Sequence, residues 1–256
     1  VIHCAALVKV EAATADLEAV NVSGTRNVIG LFPNARIIYV STAYVCGLKD
    51  GPVAEAECDP NDIFGNGYEQ SKAHAENIVR QTRPDAIIAR PSIIVGEAAS
   101  GRIRSFDNIY RAFKFIAEGK IKSVPVSPLA TLHFVPIDHV VAGICGLAEN
   151  EGAISAIVHL AARKSISATR FLSLIGEIPG LYCPEITSPD AQNIAARTIA
   201  DRLAQPYWVY FSRFPEFETL AMRHLTGLQA PNIDDAAIAR QIQFCVDAGF
   251  IRRDRK

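Results

Sequence analysis

The sequence predicts an α/β fold with a doubly wound parallel sheet and a small, mostly helical C-terminal cap. Short, fully apolar runs such as VIHCAAL and ARIIYVST are typical of parallel strands that are buried on both faces. Segments with helical spacing separate these runs, which indicates right-handed crossovers between neighbouring strands. Beyond about residue 179 a Pro-interrupted stretch, LYCPEITSPD, is followed by segments of helical character, which indicates a change of architecture.

The elements alternate in order along the chain. Predicted strands are VIHCAAL, ARIIYVST, DAIIARPSIIVG with a break at Arg90-Pro91, the first part of LHFVPIDHVVAGICGLAEN, and AISAIVHLAA. Predicted helices span residues 14–32, 68–81, 106–118, the second part of LHFVPIDHVVAGICGLAEN, and 168–175. The cap is expected to contain two or three helices without intervening strands, including PYWVYFSRFPEF and DDAAIARQIQFCVDAGF.

Composition excludes several classes of partner. The 256 residues include 26 basic and 27 acidic side chains, a balance that favours neither nucleic acid nor an anionic membrane as a partner. No apolar run of about 18 residues is present, so no membrane span is expected. The six cysteines are scattered without a CxxC pair, which is typical of reduced thiols in a cytoplasmic protein and indicates no metal site.

The stretch GNGYEQSK contains the first candidate for chemistry. Tyr68 and Lys72 are four residues apart on a predicted helix, so the phenol and the ammonium share one face. The ammonium is expected to lower the phenol pKa from about 10, so that the phenol can exchange a proton with a carbonyl or alcohol oxygen. Taken alone, the spacing favours a surface tyrosine and lysine. Glu69, Glu76 and Arg80 are expected on the solvated face, with Glu76 paired to Arg80.

A second motif favours a catalytic site over a surface tyrosine and lysine. ARIIYVST ends a predicted parallel strand with Ser41 and Thr42, and ligands of open α/β sheets bind beyond the carboxyl ends of strands. A hydroxyl at this point can hydrogen-bond the oxygen that Tyr68 protonates. The alternative role for Ser41 and Thr42 is to cap free backbone groups at the strand end. Beside Tyr68 and Lys72, the two hydroxyls favour a catalytic site.

Five segments in order, VIHCAA, VNVSGTRNVI, IIYVSTAYVCG, GYEQSK and ARPSIIVGE, resemble the extended short-chain dehydrogenase/reductase family over about residues 1–160. STAYVCG and HFVPIDHVVAGI are similar to its thioester-reductase and fatty-acyl-reductase branch, the male-sterility type, although His133 replaces an acidic residue. The resemblance implies a Rossmann domain over residues 1–178 that binds a nicotinamide dinucleotide, and a substrate-binding cap over 179–256. NADP is the expected cofactor, with NAD as the alternative.

The resemblance also implies residue roles. Thr42, with Ser41 beside it, corresponds to the triad hydroxyl, Tyr68 to the acid/base, and Lys72 to the residue that holds the ribose and lowers the tyrosine pKa. Asn21 corresponds to a helix asparagine that either relays protons or binds nearby backbone. The residues that correspond to cofactor contacts are Ala5, Ala6, Ser41, Tyr68, Lys72, Pro91, Ser92, Ile93 and Ile94.

The family's Gly-rich TGxxGxxG turn, which receives the pyrophosphate at a helix N-terminus, is absent from the sequence. About 60–80 residues would supply the corresponding strands and helices at ordinary element lengths. We therefore expect the sequence to be part of a longer protein, or one whose N-terminal part was lost. The determinant that separates NADP from NAD, at the end of the family's second strand, is expected in that part.

The expected reaction is reduction of an acyl thioester or another apolar carbonyl compound. The cap aromatics could contact an acyl chain or form the core of the cap; they are Tyr207, Trp208, Tyr210, Phe211, Phe214 and Phe217. A nucleotide-sugar epimerase or dehydratase is the first alternative, and it would use arginines for a pyrophosphate; candidates are Arg102, Arg104, Arg111, Arg163 and Arg170. A secondary-alcohol, steroid-like dehydrogenase and a non-catalytic cofactor-sensing or scaffold protein are further alternatives. The resemblance also implies a possible homodimer.

Overall fold

A computed structural model of the chain describes residues 1–189 and 198–253. Its central element is a parallel sheet with strand order β1-β2-β4-β9, in which β2 and β4 are the inner strands. The strands are β1 (Ile2–His3), β2 (Ile38–Val40), β3 (Gly51–Val53), β4 (Ile87–Pro91), β5 (Ile93–Val95), β6 (Ser123–Pro125), β7 (Thr131–Leu132), β8 (Phe134–Pro136), β9 (Ile157–Leu160), β10 (Ile166–Ser167), β11 (Glu185–Thr187) and β12 (Pro215–Phe217).

Helices connect these strands. They are α1 (Thr14–Leu17), α2 (Gly24–Leu31), α3 (Gly67–Thr82), α4 (Ile109–Ala117), α5 (Ile137–Glu149), α6 (Ala168–Glu177), α7 (Ile199–Ala204), α8 (Leu220–Thr226) and α9 (Asp235–Asp247). A π-helical turn, Glu18–Ser23, joins α1 to α2, so the predicted helix over 14–32 is one element with an irregular middle. Across residues 1–189 and 198–253, no helix is long and apolar enough to cross a membrane.

The sheet is covered by helices on both faces, which confirms the prediction of a doubly wound α/β fold. Side chains of adjacent residues in a strand point to opposite faces. Accordingly, Ile38 and Ile87 pack in the cluster that contains α5, whereas Tyr39 and Ile88 pack in the cluster that contains α2 and α3. Because both faces are buried, the strands are apolar throughout, and this is the pattern that the sequence shows.

The region after residue 179 differs in one respect from the prediction. PYWVYFSRFPEF was expected to be helical, but only Gln205–Phe211 forms a helix, of the 3-10 type, and β12 follows it. The expectation of a cap without intervening strands is therefore wrong at this point. Proline disfavours helix in the residue before it, and β12 pairs in parallel with β3. A backbone hydrogen bond from the Thr131 N–H to the Arg213 carbonyl, 3.0 Å long, holds the segment before β12.

Candidate active site

A cavity of about 960 Å³ opens at the carboxyl ends of β2 and β4. This is the edge of a parallel sheet at which ligands of open α/β folds bind. The structure brings most of the predicted site residues together here. The predicted residues that line the cavity are Ala6, Ser41, Thr42, Tyr68, Lys72, Pro91, Ser92, Ile93 and Ile94.

Ser41 and Thr42 lie directly after β2, and both are buried. The Thr42 hydroxyl accepts a hydrogen bond from the Tyr44 N–H at 3.3 Å and caps the short 3-10 helix Ala43–Cys46. It also lies 3.4 Å from the Pro91 carbonyl oxygen, which it can reach as a donor. The Ser41 hydroxyl has no hydrogen-bond partner among the described residues. The strand end therefore presents two hydroxyls, of which one is engaged locally.

Tyr68 occupies the first turn of α3, where the chain is fixed by a side-chain cap. The Asn66 side chain accepts a hydrogen bond from the Glu69 N–H at 3.0 Å, which satisfies one of the free amides at the helix start. The Tyr68 phenol is half-buried and forms no side-chain hydrogen bond within residues 1–189 and 198–253. Burial raises the pKa of Tyr68, and the neighbouring Glu69 carboxylate raises it further. The phenol is therefore protonated at neutral pH and able to act as an acid.

Lys72 lies one turn further along α3 and is almost fully buried. Its ammonium donates a hydrogen bond to the Val40 carbonyl at 2.7 Å and lies 4.2 Å from the centre of the Tyr39 ring. Burial lowers the pKa of Lys72 to about 7, while the Glu76 carboxylate acts in the opposite direction. The sequence led us to expect a lowered Tyr68 pKa. In the structure the direction is the reverse, because burial of the phenol dominates and Lys72 is bound to the end of β2.

Asn21 and Ala5 are not among the residues that line the cavity. Asn21 lies in the π-helical turn and is buried, and its side chain binds both backbone groups of Leu7, at 2.7 and 3.0 Å. It also donates to the Ser71 hydroxyl at 2.9 Å. Of the two roles that the sequence left open for Asn21, proton relay and backbone binding, these contacts correspond to backbone binding. They fix the segment that leaves β1 against α3.

Two carboxylates on α3 lie where the sequence did not predict them. Glu69 and Glu76 were expected on the solvated face, but both are buried. The Glu69 carboxylate forms an ion pair with Arg213, whose guanidinium is also buried, and one of the two contacts measures 3.1 Å. The two residues are 144 positions apart. A helical pattern alone could not identify this partner.

Glu76 also has a different partner from the expected one. It pairs with Arg90 at the end of β4, where the Nε–Oε2 distance is 3.1 Å, and Arg90 additionally donates to the Ala56 carbonyl at 2.8 Å. Arg80, its expected partner, instead pairs with Glu57 on the surface. The prediction of a Glu76–Arg80 pair is therefore wrong. A buried carboxylate takes the partner that can be desolvated with it, and Arg90 is buried whereas Arg80 is partly exposed.

The remaining walls of the cavity are largely apolar, with a charged rim. Of the cap aromatics, four belong to the buried core, namely Tyr207, Tyr210, Phe211 and Phe217, and the two tyrosines also line the cavity. Apolar lining residues include Val8, Val10, Ile103, Ile109, Val141 and Ile144. Charged lining residues are Glu97, Arg102, Arg104 and Asp107. A ligand in this cavity would meet hydroxyls at the sheet edge and apolar side chains beyond them.

Comparison with known families identifies the first part of the chain. A family model described as male sterility protein, of the NAD-binding type, matches residues 1–144. A 4-epimerase from Escherichia coli O157:H7 that acts on N-acetyl-alpha-D-glucosaminyl-diphospho-ditrans,octacis-undecaprenol is 37% identical over 115 residues, which are 41% of this chain and 32% of that protein. The aldehyde reductase lnaA of Aspergillus flavus is 24% identical over 266 residues, 88% of this chain and 25% of that protein. The chain thus spans a third or less of these relatives.

Solved structures with the same fold include a domain of a biosynthetic pathway and a protein bound to UDP-glucose and NAD. The terminal R domain from the myxalamid PKS-NRPS biosynthetic pathway superposes with a TM-score of 0.83 at 23% identity, covering 99% of this chain and 70% of that one. MoeE5 in complex with UDP-glucose and NAD gives a TM-score of 0.72 at 19% identity, covering 96% and 79%. At these identities the likeness establishes the fold alone, a Rossmann-type sheet with helices on both faces.

Proposed function

This chain belongs to the male sterility protein family of extended short-chain dehydrogenases/reductases, an NAD(P)-binding family, and we propose on that basis that it reduces a carbonyl group with NAD(P)H. The observation that supports the proposal most strongly is the cavity at the carboxyl ends of β2 and β4. Thr42 follows β2, whereas Tyr68 and Lys72 lie on α3, and all three line that one cavity. A scaffold protein would require none of the three.

The residues present fit the nicotinamide half of the cofactor. Ser41 and Ser92 have buried hydroxyls without a partner in the described part of the chain, and both line the cavity. Unpaired buried polar groups are costly, so such hydroxyls are suited to bind a polar ligand. Lys72 and Tyr68 would hold the nicotinamide ribose, and Pro91 and Ser92 would contact the carboxamide. We propose NADPH as the cofactor, with NADH as the alternative.

In this site the Tyr68 phenol is the proton donor. When the cofactor is bound, it supplies a hydride to the carbonyl carbon. The hydroxyls of Thr42 and Tyr68 donate hydrogen bonds to the carbonyl oxygen, and Tyr68 transfers its proton as negative charge develops there. Lys72 contributes positive charge that favours the phenolate left behind. Its pKa of about 7 places that charge close to loss at physiological pH, so catalysis is expected to depend on Glu76, which raises the Lys72 pKa.

An apolar substrate fits the rest of the cavity. Beyond Thr42 and Tyr68 the wall is formed by Val8, Val10 and Ile109, with Tyr207 and Tyr210 contributed by the cap. Burial of an acyl chain against such a wall contributes roughly 0.8 kcal/mol for each methylene. We therefore propose an acyl thioester or the corresponding aldehyde as the substrate class. A thioester would release its thiol and leave an aldehyde, and an aldehyde would become a primary alcohol.

A nucleotide-sugar epimerase is the second candidate. The 37% identity to the Escherichia coli epimerase favours it, and so do two arginines, Arg102 and Arg104, that line the cavity. A guanidinium is suited to bind a pyrophosphate. Arg102 is already paired with Glu97 at 2.8 Å, so Arg104 is the better candidate for that contact. An epimerase would consume no cofactor overall, which separates the two candidates.

The experiment is NADPH oxidation, followed at 340 nm, by the full-length protein with dodecanoyl-CoA and with dodecanal. Turnover that depends on either substrate, and that is lost in Tyr68→Phe, supports the reductase. Conversion of a UDP-sugar to its epimer without net NADPH loss supports the epimerase. Parallel reactions with NADH decide the cofactor. Binding of NADPH without any turnover of these compounds would leave a binding protein as the explanation and would contradict both candidates.

A further inference from the structure

The buried guanidinium of Arg213 contacts both segments that supply the proposed proton-donating hydroxyls. Its Nη1 donates to the Gly47 carbonyl at 3.0 Å, at the end of the turn that begins with Thr42. The same guanidinium binds the carboxylate of Glu69, the residue after Tyr68. Arg213 thus lies in the region that follows the sheet domain and reaches back to the two elements on which the site depends.

The position of this guanidinium is fixed from several directions. Its central carbon lies 4.5 Å from the Tyr44 ring centre and 4.9 Å from the Tyr210 ring centre, so it is held between two aromatic rings. Arginine stacks on aromatic rings and binds a carboxylate through two parallel hydrogen bonds, which lysine cannot reproduce. With its side chain only 3% exposed, Arg213 has little room for another conformation.

Both oxygens of the Glu69 carboxylate accept hydrogen bonds from neighbouring donors. Besides Arg213, it accepts a hydrogen bond from the Gly65 N–H at 3.0 Å and another from the Asn66 side chain at 3.2 Å. At Gly65 a β-carbon would come within 2.7 Å of the Val209 side chain, so the cap packs directly against the start of α3. The network therefore determines where the first turn of α3 lies with respect to the cap.

We infer that Arg213 is a positioning residue, which sets the distance between Thr42 and Tyr68 by binding Gly47 on one segment and Glu69 on the other. The inference rests on the proposed reductase function for its catalytic meaning, since it concerns the two hydroxyls that would share one carbonyl oxygen. Displacements of about 1 Å in such a pair can reduce a rate by about 100-fold. The cap would in this way be required for proton transfer as well as for substrate binding.

The first test measures hydrogen exchange by mass spectrometry, which needs no turnover. The double variant Arg213→Met/Glu69→Gln removes both charges, so it leaves no unpaired buried ion. We expect faster exchange in residues 41–48 and 64–71 together. The matched control is Arg90→Met/Glu76→Gln, which removes the other buried pair on α3 and should accelerate exchange around residues 54–58. Unchanged exchange in either 41–48 or 64–71 in the first variant would overturn the inference.

The second test separates positioning from general loss of structure. In the NADPH assay with dodecanal, Arg213→Met/Glu69→Gln is expected to lower kcat by about 10- to 100-fold while KM for NADPH changes less than threefold. Arg213→Lys, which keeps the charge, should fall between wild type and the double variant.

The outcomes can be told apart. A kcat for Arg213→Met/Glu69→Gln within threefold of wild type overturns the inference, even if exchange increases. A fall in activity that matches only the fraction of unfolded protein, measured by circular dichroism, also overturns it. If wild type turns over none of these compounds, the proposed function fails. Faster hydrogen exchange in residues 41–48 and 64–71 together would still support the coupling through Arg213.

Discussion

Helix α3 contains two buried ion pairs, seven residues apart, that have the same chemistry and different partners. Glu69 binds Arg213, which lies 144 positions away in the cap, whereas Glu76 binds Arg90, 14 positions away at the end of β4. Tyr68 precedes the first carboxylate, and Lys72 lies one turn before the second. The first pair joins the helix start to the cap and to the Thr42 turn. The second joins the helix to the sheet, and its Glu76 carboxylate raises the pKa of Lys72.

The difference indicates a division of roles along one helix. The Glu69 pair acts on the proton donor, because it fixes the turn that contains Tyr68 and because its carboxylate raises the phenol pKa. The Glu76 pair acts on the lysine, because it opposes the effect of burial on the ammonium. Both pairs are desolvated, so neither is a general source of stability. Their contribution is to specify geometry and charge where α3 meets the sheet edge.

The largest expected effect is that of removing the proton donor itself. Tyr68→Phe should lower kcat for NADPH-dependent reduction of dodecanal by about 10³-fold, since general acid catalysis contributes about 10²–10⁴-fold. KM for NADPH should change much less than kcat, because Lys72 would still hold the nicotinamide ribose. The matched control is Tyr182→Phe, which should keep full activity. Tyr182 is not among the residues that line the cavity, and the Lys122 ammonium lies over its ring. Equal activity of Tyr68→Phe and Tyr182→Phe would contradict the assignment.

The two ion pairs can be compared through single and double variants. Arg213→Met alone leaves the buried Glu69 charge unpaired and should lower the free energy of unfolding by about 3–5 kcal/mol. Arg213→Met/Glu69→Gln removes both charges and should cost clearly less. Arg90→Met and Arg90→Met/Glu76→Gln should show the same order. Urea denaturation gives these values, and a double variant less stable than its single variant would show that the pair is strongly stabilising.

The lowered pKa of Lys72 predicts that the stability of the protein depends on pH, with a definite sign. The Lys72 pKa is about 7 in the folded protein and lies far below the ordinary lysine value, so above pH 7 the unfolded chain binds more protons at this site. The free energy of unfolding should therefore rise with pH, by up to about 1.4 kcal/mol per pH unit. The window ends near pH 8.5, because buried thiols such as Cys46 have raised pKa values and act in the opposite sense above it.

Lys72→Met isolates this contribution. Relative to wild type, the variant should be more stable at pH 7.0 than at pH 8.5, with a difference of about 1.5–2 kcal/mol between the two pH values. Glu76→Gln should shift the wild-type curve to lower pH, because the Glu76 carboxylate raises the Lys72 pKa. Urea unfolding at several pH values is the measurement. Parallel curves for wild type and Lys72→Met would exclude a titrating Lys72 in this window.

The smallest expected effect is at an exposed ion pair. Arg170 contacts Asp235 at 2.8 Å and also pairs with Glu177, which on distances alone resembles the buried pairs on α3. These side chains are well exposed, and water screens their interaction. Arg170→Gln should leave both kcat and the urea midpoint unchanged. A loss of kcat or of stability comparable to that of Arg213→Met would mean that burial is not what distinguishes the two α3 pairs from this exposed pair.

Much of the fold could be predicted because its determinants are local. Apolar runs and helical spacing predicted the doubly wound sheet, and the YxxxK spacing together with the ST strand end indicated four residues that line one cavity, namely Ser41, Thr42, Tyr68 and Lys72. The partners of Glu69 and Glu76 could not be predicted in this way, since helical periodicity does not contain contacts from distant segments. The strand β12 was missed for a related reason, because β3, with which it pairs, is about 160 positions away.

The pKa of Tyr68 could not be predicted from helix spacing either. The spacing places Lys72 one turn from the phenol, but the direction of the ammonium depends on the Val40 carbonyl and the Tyr39 ring, which belong to β2. Desolvation of the phenol depends on the surrounding packing. Electrostatics at a buried site are therefore a property of the folded structure, whereas the identity of the titrating residues is visible in the sequence.

The most direct test of the account is hydride transfer itself. The full-length protein is incubated with dodecanal and NADPH deuterated at the transferable position of nicotinamide C4, and the dodecanol is analysed by mass spectrometry. The account predicts one deuterium on the alcohol carbon with wild type and at least about 100-fold less labelled product with Tyr68→Phe. NADPH binding without any labelled dodecanol, or equal labelling by both proteins, would contradict a reductase site built on Thr42, Tyr68 and Lys72.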